Sequence, residues 1–309
     1  MVFKRMLSAL GVGAPSVDTV LATTRVQPGG TLTGEVRLKG GDFDAEIEHV
    51  ALGLVTRVES ERGDTEQVGL IEFFRGQVSG PFTLRPGEDR VLPFHIGVPW
   101  ETPVTEVMGH RLRGMAMGVR TELAIAKAVD KGDMDDFHVT PLPSQEAVLR
   151  AFDRLGFAFK SADLEVGHLF GVNQHLPFYQ EIEFAPPPAH RGRINEVELT
   201  FVATPAGLDI ILEADKRSRF GMGGGDAIAR WQTTHHDAPH RDWPTELTTW
   251  LNTLTPFSGG SGHGTYGRHD HHGGGIGLGG IAAAGAAGLI GGFVAAEALD
   301  EIGDFFEGD

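Results

Sequence analysis

TPLPSQEAVLRAFDRLGF, residues 140–157, is the stretch that decides the predicted fold of this chain. Pro141 and Pro143 fix the backbone φ angle and lack an amide donor, so a sheet cannot continue through them. Beyond the prolines, apolar residues recur at helical spacing. Ser144 lies where an N-cap is expected, and Gly156 where a left-handed C-terminal cap is expected. The stretch therefore predicts one short helix between two regions of different structure.

Alternating polar and apolar residues on both sides of this helix predict short antiparallel strands. The clearest is residues 31–39, and residues 194–216 predict a hairpin that turns at 204–207. Residues 115–126 fit a strand, although their alanines also tolerate a helix. About seven strands before the helix predict a β-sandwich.

The same alternation resumes after residue 157 and gives an all-β fold of two sandwiches. The predicted organisation is an N-terminal sandwich at 1–140, a helical linker at 141–156, a second sandwich at 157–255 ending in a helix, and a Gly/Ala/His-rich tail at 256–309. Residues 242–254 have the helical spacing for that last helix.

Charge and composition exclude several classes of function. The chain has 309 residues, a formal net charge of −16 and no cysteine. Phosphate binding needs clustered lysine and arginine, so the charge argues against a nucleic-acid partner. The absence of cysteine excludes disulfides, thiol nucleophiles and thiolate metal sites. Lys4 and Arg5 precede an apolar patch that is short and broken by glycine, which favours a docked helix over a secretory signal. We therefore expect a cytoplasmic protein.

Several segments together resemble the bacterial sporulation-control (SpoOM) family. They cover residues 1–255 in chain order and are VDTVL (17–21), GGTLTGEV (29–36), MGVRTELAIAKAVDKGDMDDFHV (117–139), HVTPLPSQEAVLRAFDRLGFAF (138–159), LPFYQEIEFAPPP (176–188) and RGRINEVELTFVATPAGLDIILEADKR (191–217). The resemblance implies an arrestin-like fold of two immunoglobulin-type sandwiches. It also implies a regulator of sporulation or stress-linked development, with no established catalytic centre.

The expected function is that of a non-enzymatic scaffold that binds other proteins and needs no cofactor. Sequence motifs for a zincin, a P-loop and a serine-hydrolase elbow are all missing. The acids Glu196, Glu198, Asp209, Glu213 and Asp215 follow one predicted hairpin, where they most simply form a solvated face. A catalytic pair among them would need burial that the sequence does not predict.

Histidines between residues 235 and 272 offer an alternative, a metal- or ligand-binding protein. Neutral imidazoles bind zinc, copper and nickel, and His269, His271 and His272 are the candidate ligands. The glycines around them preorganise no site, so a solvated linker is the competing interpretation. His236 and His240 could share a metal only in a helix, which Pro239 disfavours.

The tail at 273–306 offers a second alternative, a membrane-associated adaptor or a self-associating helix. Small residues four apart would form one stripe along a helix, and the candidate contacts are Gly280, Ala284, Gly288, Gly292 and Phe293. The high glycine content weakens both a helix and its insertion into a bilayer. A low-complexity segment without a fixed structure is the competing interpretation.

Overall fold

The computed structural model describes residues 13–62, 65–216 and 227–254. Contacts divide the chain into two compact units, one ending at Pro141 and the other beginning at Leu142. No helix within the described ranges is long and apolar enough to cross a membrane.

Twelve strands make up the described part of the first unit. They are β1 Ser16–Leu21, β2 Arg25–Val26, β3 Thr31–Lys39, β4 Ala45–Arg62, β5 Thr65–Ser79, β6 Phe82–Leu84, β7 Asp89–Gly97, β8 Glu106–Val107, β9 His110–Arg111, β10 Met117–Ile125, β11 Lys131–Asp136 and β12 His138–Val139. The strand predicted at residues 31–39 is confirmed by β3, and the strand predicted at 115–126 is confirmed by β10.

Two antiparallel sheets account for most of these strands. β3 lies between β1 and β7 in one sheet, whereas β4 pairs with β5, β6 and β10 in the other, and β10 pairs with β11. The Thr19 and Thr121 hydroxyls, from β1 and β10, share a buried hydrogen bond of 2.6 Å. Two sheets are what the sandwich prediction requires for this half. Their immunoglobulin-like arrangement stays a prediction.

The second unit has five described strands in one antiparallel meander. They are β13 Ala158–Val166, β14 Phe178–Ala185, β15 Ile194–Ala203, β16 Leu208–Lys216 and β17 Ala227–Thr233, paired in chain order. The hairpin predicted at 194–216 is confirmed as β15 and β16. The alternation at residues 157–170 suggests two short strands or one bent strand, and the structure has one strand there, β13, which stops at Val166.

Two helices cover the apolar face of this sheet, α1 at Pro143–Leu155 and α2 at Trp243–Thr253. Phe152 of α1 lies 4.7 Å from Phe184 of β14, measured between ring centroids. Trp231 of β17 meets Trp243 and Trp250 of α2 at 6.5 and 6.3 Å. The predicted second sandwich is therefore not confirmed, because all five described strands share one sheet and helices form the layer against it.

Helix α1 begins earlier than the sequence predicts. Leu142 is the N-cap and Pro143 the first helical residue, so Ser144 lies inside the helix and its prediction as N-cap is wrong. The Gln145 side-chain oxygen accepts a hydrogen bond of 2.8 Å from the Leu142 amide. Pro143 explains the shift, because its fixed φ suits the first helical position and its missing N–H needs no partner there. Gly156 is confirmed as the left-handed cap, with φ of 82°.

Candidate carboxylate site on the second unit

The face of the second sheet opposite the helices carries most of its acidic residues. Side chains alternate between the two faces of a strand, so acids spaced two apart on β13, β14, β15 and β16 fall on one side. We call this surface the acidic face, and its carboxylates are Asp163, Glu165, Glu181, Glu183, Glu196, Glu198, Asp209, Glu213 and Asp215. The alternate residues of these strands form the apolar face, which includes Leu164, Ile182, Leu199 and Leu212.

Strand register places carboxylates directly opposite one another. Asp163 faces Glu181, Glu183 faces Glu198, and Glu198 in turn faces Glu213. Directly opposed residues of an antiparallel pair have Cβ atoms about 4.5–5.5 Å apart. Like charges at this separation repel, so the row is stable only if some of its members hold a proton or a cation.

Burial and mutual repulsion raise the pKa values of two of these acids. Burial and the charge of Glu198 raise the pKa of Glu181 to about 9. Burial and the charge of Glu213 raise the pKa of Glu198 to about 8. Both carboxyls are therefore mainly protonated at neutral pH, and each can donate one hydrogen bond as well as accept. Burial, followed by the charge of Glu181, also raises the pKa of the Tyr179 phenol.

Two cations on the acidic face neutralise only part of this charge. Lys160 Nζ lies 3.2 Å from Glu183 and also contacts Glu196. Arg230 of β17 pairs with Asp209 at 2.8 Å. Glu183 also accepts a hydrogen bond of 2.8 Å from the Ser161 hydroxyl. The cations therefore lie toward the margins, while Glu181 and Glu198 face other carboxylates.

The loop at residues 167–177 covers the neighbouring part of the acidic face. Leu169 is buried with Tyr179, Val202 and Ile211, and Val172 packs against the same cluster. The Gln174 amide accepts from the Leu169 N–H and donates to the carbonyls of residues 167, 176 and 178. Arg230 donates to the carbonyl of residue 171 from β17, on the same face of the sheet. The loop is thus fixed at both ends, and it presents Phe170 with 83% of its surface exposed.

The solvated face predicted for the hairpin acids is wrong for part of the set. Glu213 is only 6% exposed and Glu198 is half-buried. Alternation along a strand indicates which face a residue occupies, but it does not indicate what covers that face. The sequence did contain a signal for a larger acidic face. The pairs Asp163–Glu165 and Glu181–Glu183 have the same spacing of two and continue the acidic pattern onto two more strands.

Three of these carboxylates could hold a metal ion. Asp163, Glu165 and Glu181 each offer one oxygen, and the three oxygens lie within 4.8 Å of one another. Carboxylate oxygens suit hard cations such as Ca²⁺ and Mg²⁺. Binding would have to displace the proton that Glu181 holds at neutral pH.

A serine–histidine contact lies at the start of α1. The Ser144 hydroxyl is 2.8 Å from His235 Nδ1, and His235 Nε2 is 2.7 Å from the Thr204 carbonyl. A carbonyl only accepts, so Nε2 carries the proton and Nδ1 accepts from Ser144. This is the hydrogen-bond order of a nucleophile and its base. Ser144 is 1% exposed, however, so the contact joins the helix to the strand ends around it.

The predicted metal and tail residues lie outside the described ranges. They are His269, His271, His272, Gly280, Ala284, Gly288, Gly292 and Phe293. His236 and His240 are described. A 3₁₀ turn at Ala238–His240 brings their ring centroids to 5.6 Å. Whether the two imidazoles could share a metal ion stays a prediction. Asp237 lies beside them, with its pKa lowered by hydrogen bonds from His236 and Thr234.

Comparison with known proteins supports one family. The family model described as "SpoOM protein" matches residues 3–218. The sporulation-control protein spo0M of Bacillus subtilis is 36% identical over 218 residues, which are 70% of this chain and 81% of that protein. The crystal structure of Spo0M from Bacillus subtilis is similar with a TM-score of 0.69 and 30% identity, covering 79% of this chain and all of that one.

Proposed function

The chain belongs to the SpoOM protein family, and on this premise we propose that it is a non-enzymatic regulator of sporulation, development or stress response. It acts by binding other proteins as a scaffold. The observation that carries the proposal is the match over most of the chain to a relative named for sporulation control.

Two structural features support protein binding as the mode of action. Phe170 is exposed on a loop that Gln174 and Arg230 hold in place, so little conformational entropy is lost when a partner buries the ring. Aromatic anchors of this kind dominate the energy of many interfaces. Ile228 is 54% exposed on β17, which pairs with β16 alone among the described strands. A sheet edge of this kind can accept a strand from another chain.

Complementation in the native host separates scaffold from enzyme. The gene is deleted and replaced by the full chain carrying either Phe170→Ala with Ile228→Ser, or Glu181→Gln with Glu198→Gln. A scaffold predicts that the first variant fails to restore the developmental phenotype and that the second restores it. Val91→Ser in the first unit, at a residue 53% exposed, is the matched control for loss of surface apolarity.

The opposite pattern would contradict the proposal. If the carboxyl variant failed and the surface variant succeeded, the acidic face would be a reaction centre. If deletion of the gene left development, sporulation and stress survival unchanged, the regulatory role itself would be lost.

A further inference from the structure

A groove of about 240 Å³ lies between α1 and the beginning of α2. Its lining includes three arginines and an apolar wall, namely Arg150, Arg154, Arg241, Pro143, Pro239 and Trp243. Glu146 is the one acidic residue that lines it. In a chain with 42 acidic and 26 basic residues, this local excess of cations stands out.

The three guanidinium groups differ in how firmly they are held. Arg241 donates to both carboxylate oxygens of Glu246, and its Cζ lies 4.4 Å from the centroid of the Trp243 ring. Arg150 pairs with Glu146 at 2.7 Å across one helical turn, with both side chains substantially exposed. Exposed pairs of this type contribute at most about 1 kcal/mol, so an incoming carboxylate can compete for Arg150.

Arg154 has its charge available for a ligand. Among the described residues, none makes a hydrogen bond or ion pair with its side chain, which is exposed at the last turn of α1. Arg150 and Arg154 are four residues apart and therefore lie on one side of the helix. Together they present two guanidinium groups in a row.

The wall of the groove is apolar and rigid. Trp243 is 1% exposed, and its indole N–H donates to the Ala238 carbonyl at 2.8 Å. Pro143, Pro239 and Pro244 lie around the same groove, and each has a fixed φ angle. A ligand side chain would thus meet a preformed surface, which reduces the entropy lost on binding.

From this geometry we propose that the groove binds an acidic segment of a partner protein, with Asp or Glu side chains on Arg150 and Arg154 and an apolar side chain against Pro143, Pro239 and Pro244. Guanidinium groups bind carboxylates through paired hydrogen bonds, and arginine clusters recognise acidic motifs in this way. The excess of arginine in the groove selects against basic segments. The inference rests on the proposed function, because it names the kind of partner that such a scaffold would hold.

The test measures binding of an acidic peptide to the full-length chain by fluorescence anisotropy. A suitable probe is EALDEIGDFFEGD, the sequence of residues 297–309, which contains acidic and apolar residues and no basic residue. The same peptide with every Asp and Glu replaced by Asn and Gln is its control. We expect the amide peptide to bind the unchanged chain at least about tenfold more weakly than the acidic peptide does. We expect a loss of the same size when the acidic peptide binds the Arg150→Glu Arg154→Glu double variant.

Arg113→Glu is the matched control variant, because Arg113 is an exposed arginine of the first unit. It should bind the acidic peptide within about twofold of the unchanged chain, because Arg113 does not line the groove. A thermal unfolding curve for each variant shows whether a loss of binding is a loss of folding.

Three results would overturn the proposal. The first is equal binding of the acidic and amide peptides, and the second is binding unaffected by the double arginine variant. The third is binding only after the acids at 297–309 of the chain itself are neutralised, which would make its own C-terminal segment the occupant. If Arg150→Glu Arg154→Glu abolished peptide binding but restored development in the host, the groove would lose its role while the proposed function remained.

Discussion

Two regions of this protein place several charged side chains close together on a sheet, but they differ in how those charges are balanced. In the first unit, strands β4, β5 and β10 carry a mixed-charge cluster, which consists of His49, Glu72, Arg75, Arg120 and Glu122. Arg75 lies 2.7 Å from Glu122, Arg120 lies 3.1 Å from Glu72, and His49 lies 3.0 Å from Glu122. In the acidic face of the second unit, carboxylates face carboxylates.

The pKa values show what this difference does. Burial acts to raise the pKa of Glu122, but hydrogen bonds from Arg75 and His49 outweigh it, and the pKa ends below its usual value. On the acidic face, burial and neighbouring carboxylates act in the same direction, so the pKa values of Glu181 and Glu198 rise to about 9 and about 8. The same residue type on similar strands is thus an anion in one unit and a neutral acid in the other.

Local sequence explains part of the contrast. Gly53 lies opposite both Arg75 and Arg120 in the strand register, and a Cβ atom there would meet a Glu72 carboxylate oxygen. The glycine makes room for ion pairs to close over the centre of the sheet. On the acidic face the corresponding inner positions of β15 and β16 hold Glu198 and Glu213, and the two cations lie farther out.

The largest expected effect comes from replacing Glu181 and Glu198 together by glutamine, which mimics the protonated acid. Because the folded pKa values are raised, the unfolded chain releases these protons first. Their contribution to stability is complete below about pH 4.5 and is lost as the pH rises through 8 and 9. The double variant should therefore match the unchanged chain near pH 4.5 and exceed its free energy of unfolding at pH 8.5 by on the order of 5–10 kcal/mol.

Urea unfolding at several pH values measures this difference. Other titrating groups cancel in the subtraction, including Asp135, whose pKa burial and Asp133 raise to about 6. Asp215→Asn is the control, since it changes an acid on the same face that is not among the main groups raising the pKa of Glu181 or Glu198. A difference between double variant and unchanged chain that did not grow with pH would show that Glu181 and Glu198 are ionised in the folded protein.

Arg75→Gln should have the next largest effect, and the opposite dependence on pH. Without this cation the pKa of Glu122 rises. The stability that the lowered pKa of Glu122 contributes is present above about pH 4.5 and lost in acid, so in the variant this loss should begin at a higher pH. At pH 7 we expect a loss of about 1 kcal/mol, because the pair is partly buried. Arg37→Gln removes an exposed pair with Glu35 and should change the acid limb little. If the free energy of unfolding fell with decreasing pH in the same way for both variants, the role given to Arg75 would be contradicted.

The sequence alone was sufficient to predict several strands and the end of α1, but not the protonation states of the acids on the two sheets. Alternation located β3, β10 and the β15–β16 hairpin, and glycine chemistry located the end of α1 at Gly156. It could not give the burial of Glu213 or Glu198, because alternation along a strand indicates which face a residue occupies but not what covers that face. The contact between Ser144 and His235 was equally out of reach, since it joins residues 91 positions apart.

A smaller effect is expected from Lys160→Met, which removes the cation nearest the row of acids. Lys160 is 41% exposed at its side chain, so solvent screening limits the loss at pH 7 to about 0.5 kcal/mol. The added imbalance of charge beside Glu198 should also steepen the loss of stability with rising pH. The measurement is the pH slope of the free energy of unfolding, compared with Lys131→Met on β11 of the first unit. A slope no steeper than that of the control would show that Lys160 is too well solvated to matter.

The smallest expected effect belongs to deletion of residues 256–309. Both pH trends arise from groups within the described residues, all before residue 255, so we expect the raised pKa values and the ion pairs of the mixed-charge cluster to be kept when the tail is removed. The truncated chain should keep its thermal midpoint within about 2 °C, which corresponds to a few tenths of a kcal/mol for units of this size. It should also keep opposite pH dependences for Glu181→Gln Glu198→Gln and for Arg75→Gln. If truncation abolished the alkaline loss of stability but left the acid limb intact, residues beyond 255 would have to cover the acidic face, and the burial that raises the pKa of Glu181 would be partly theirs.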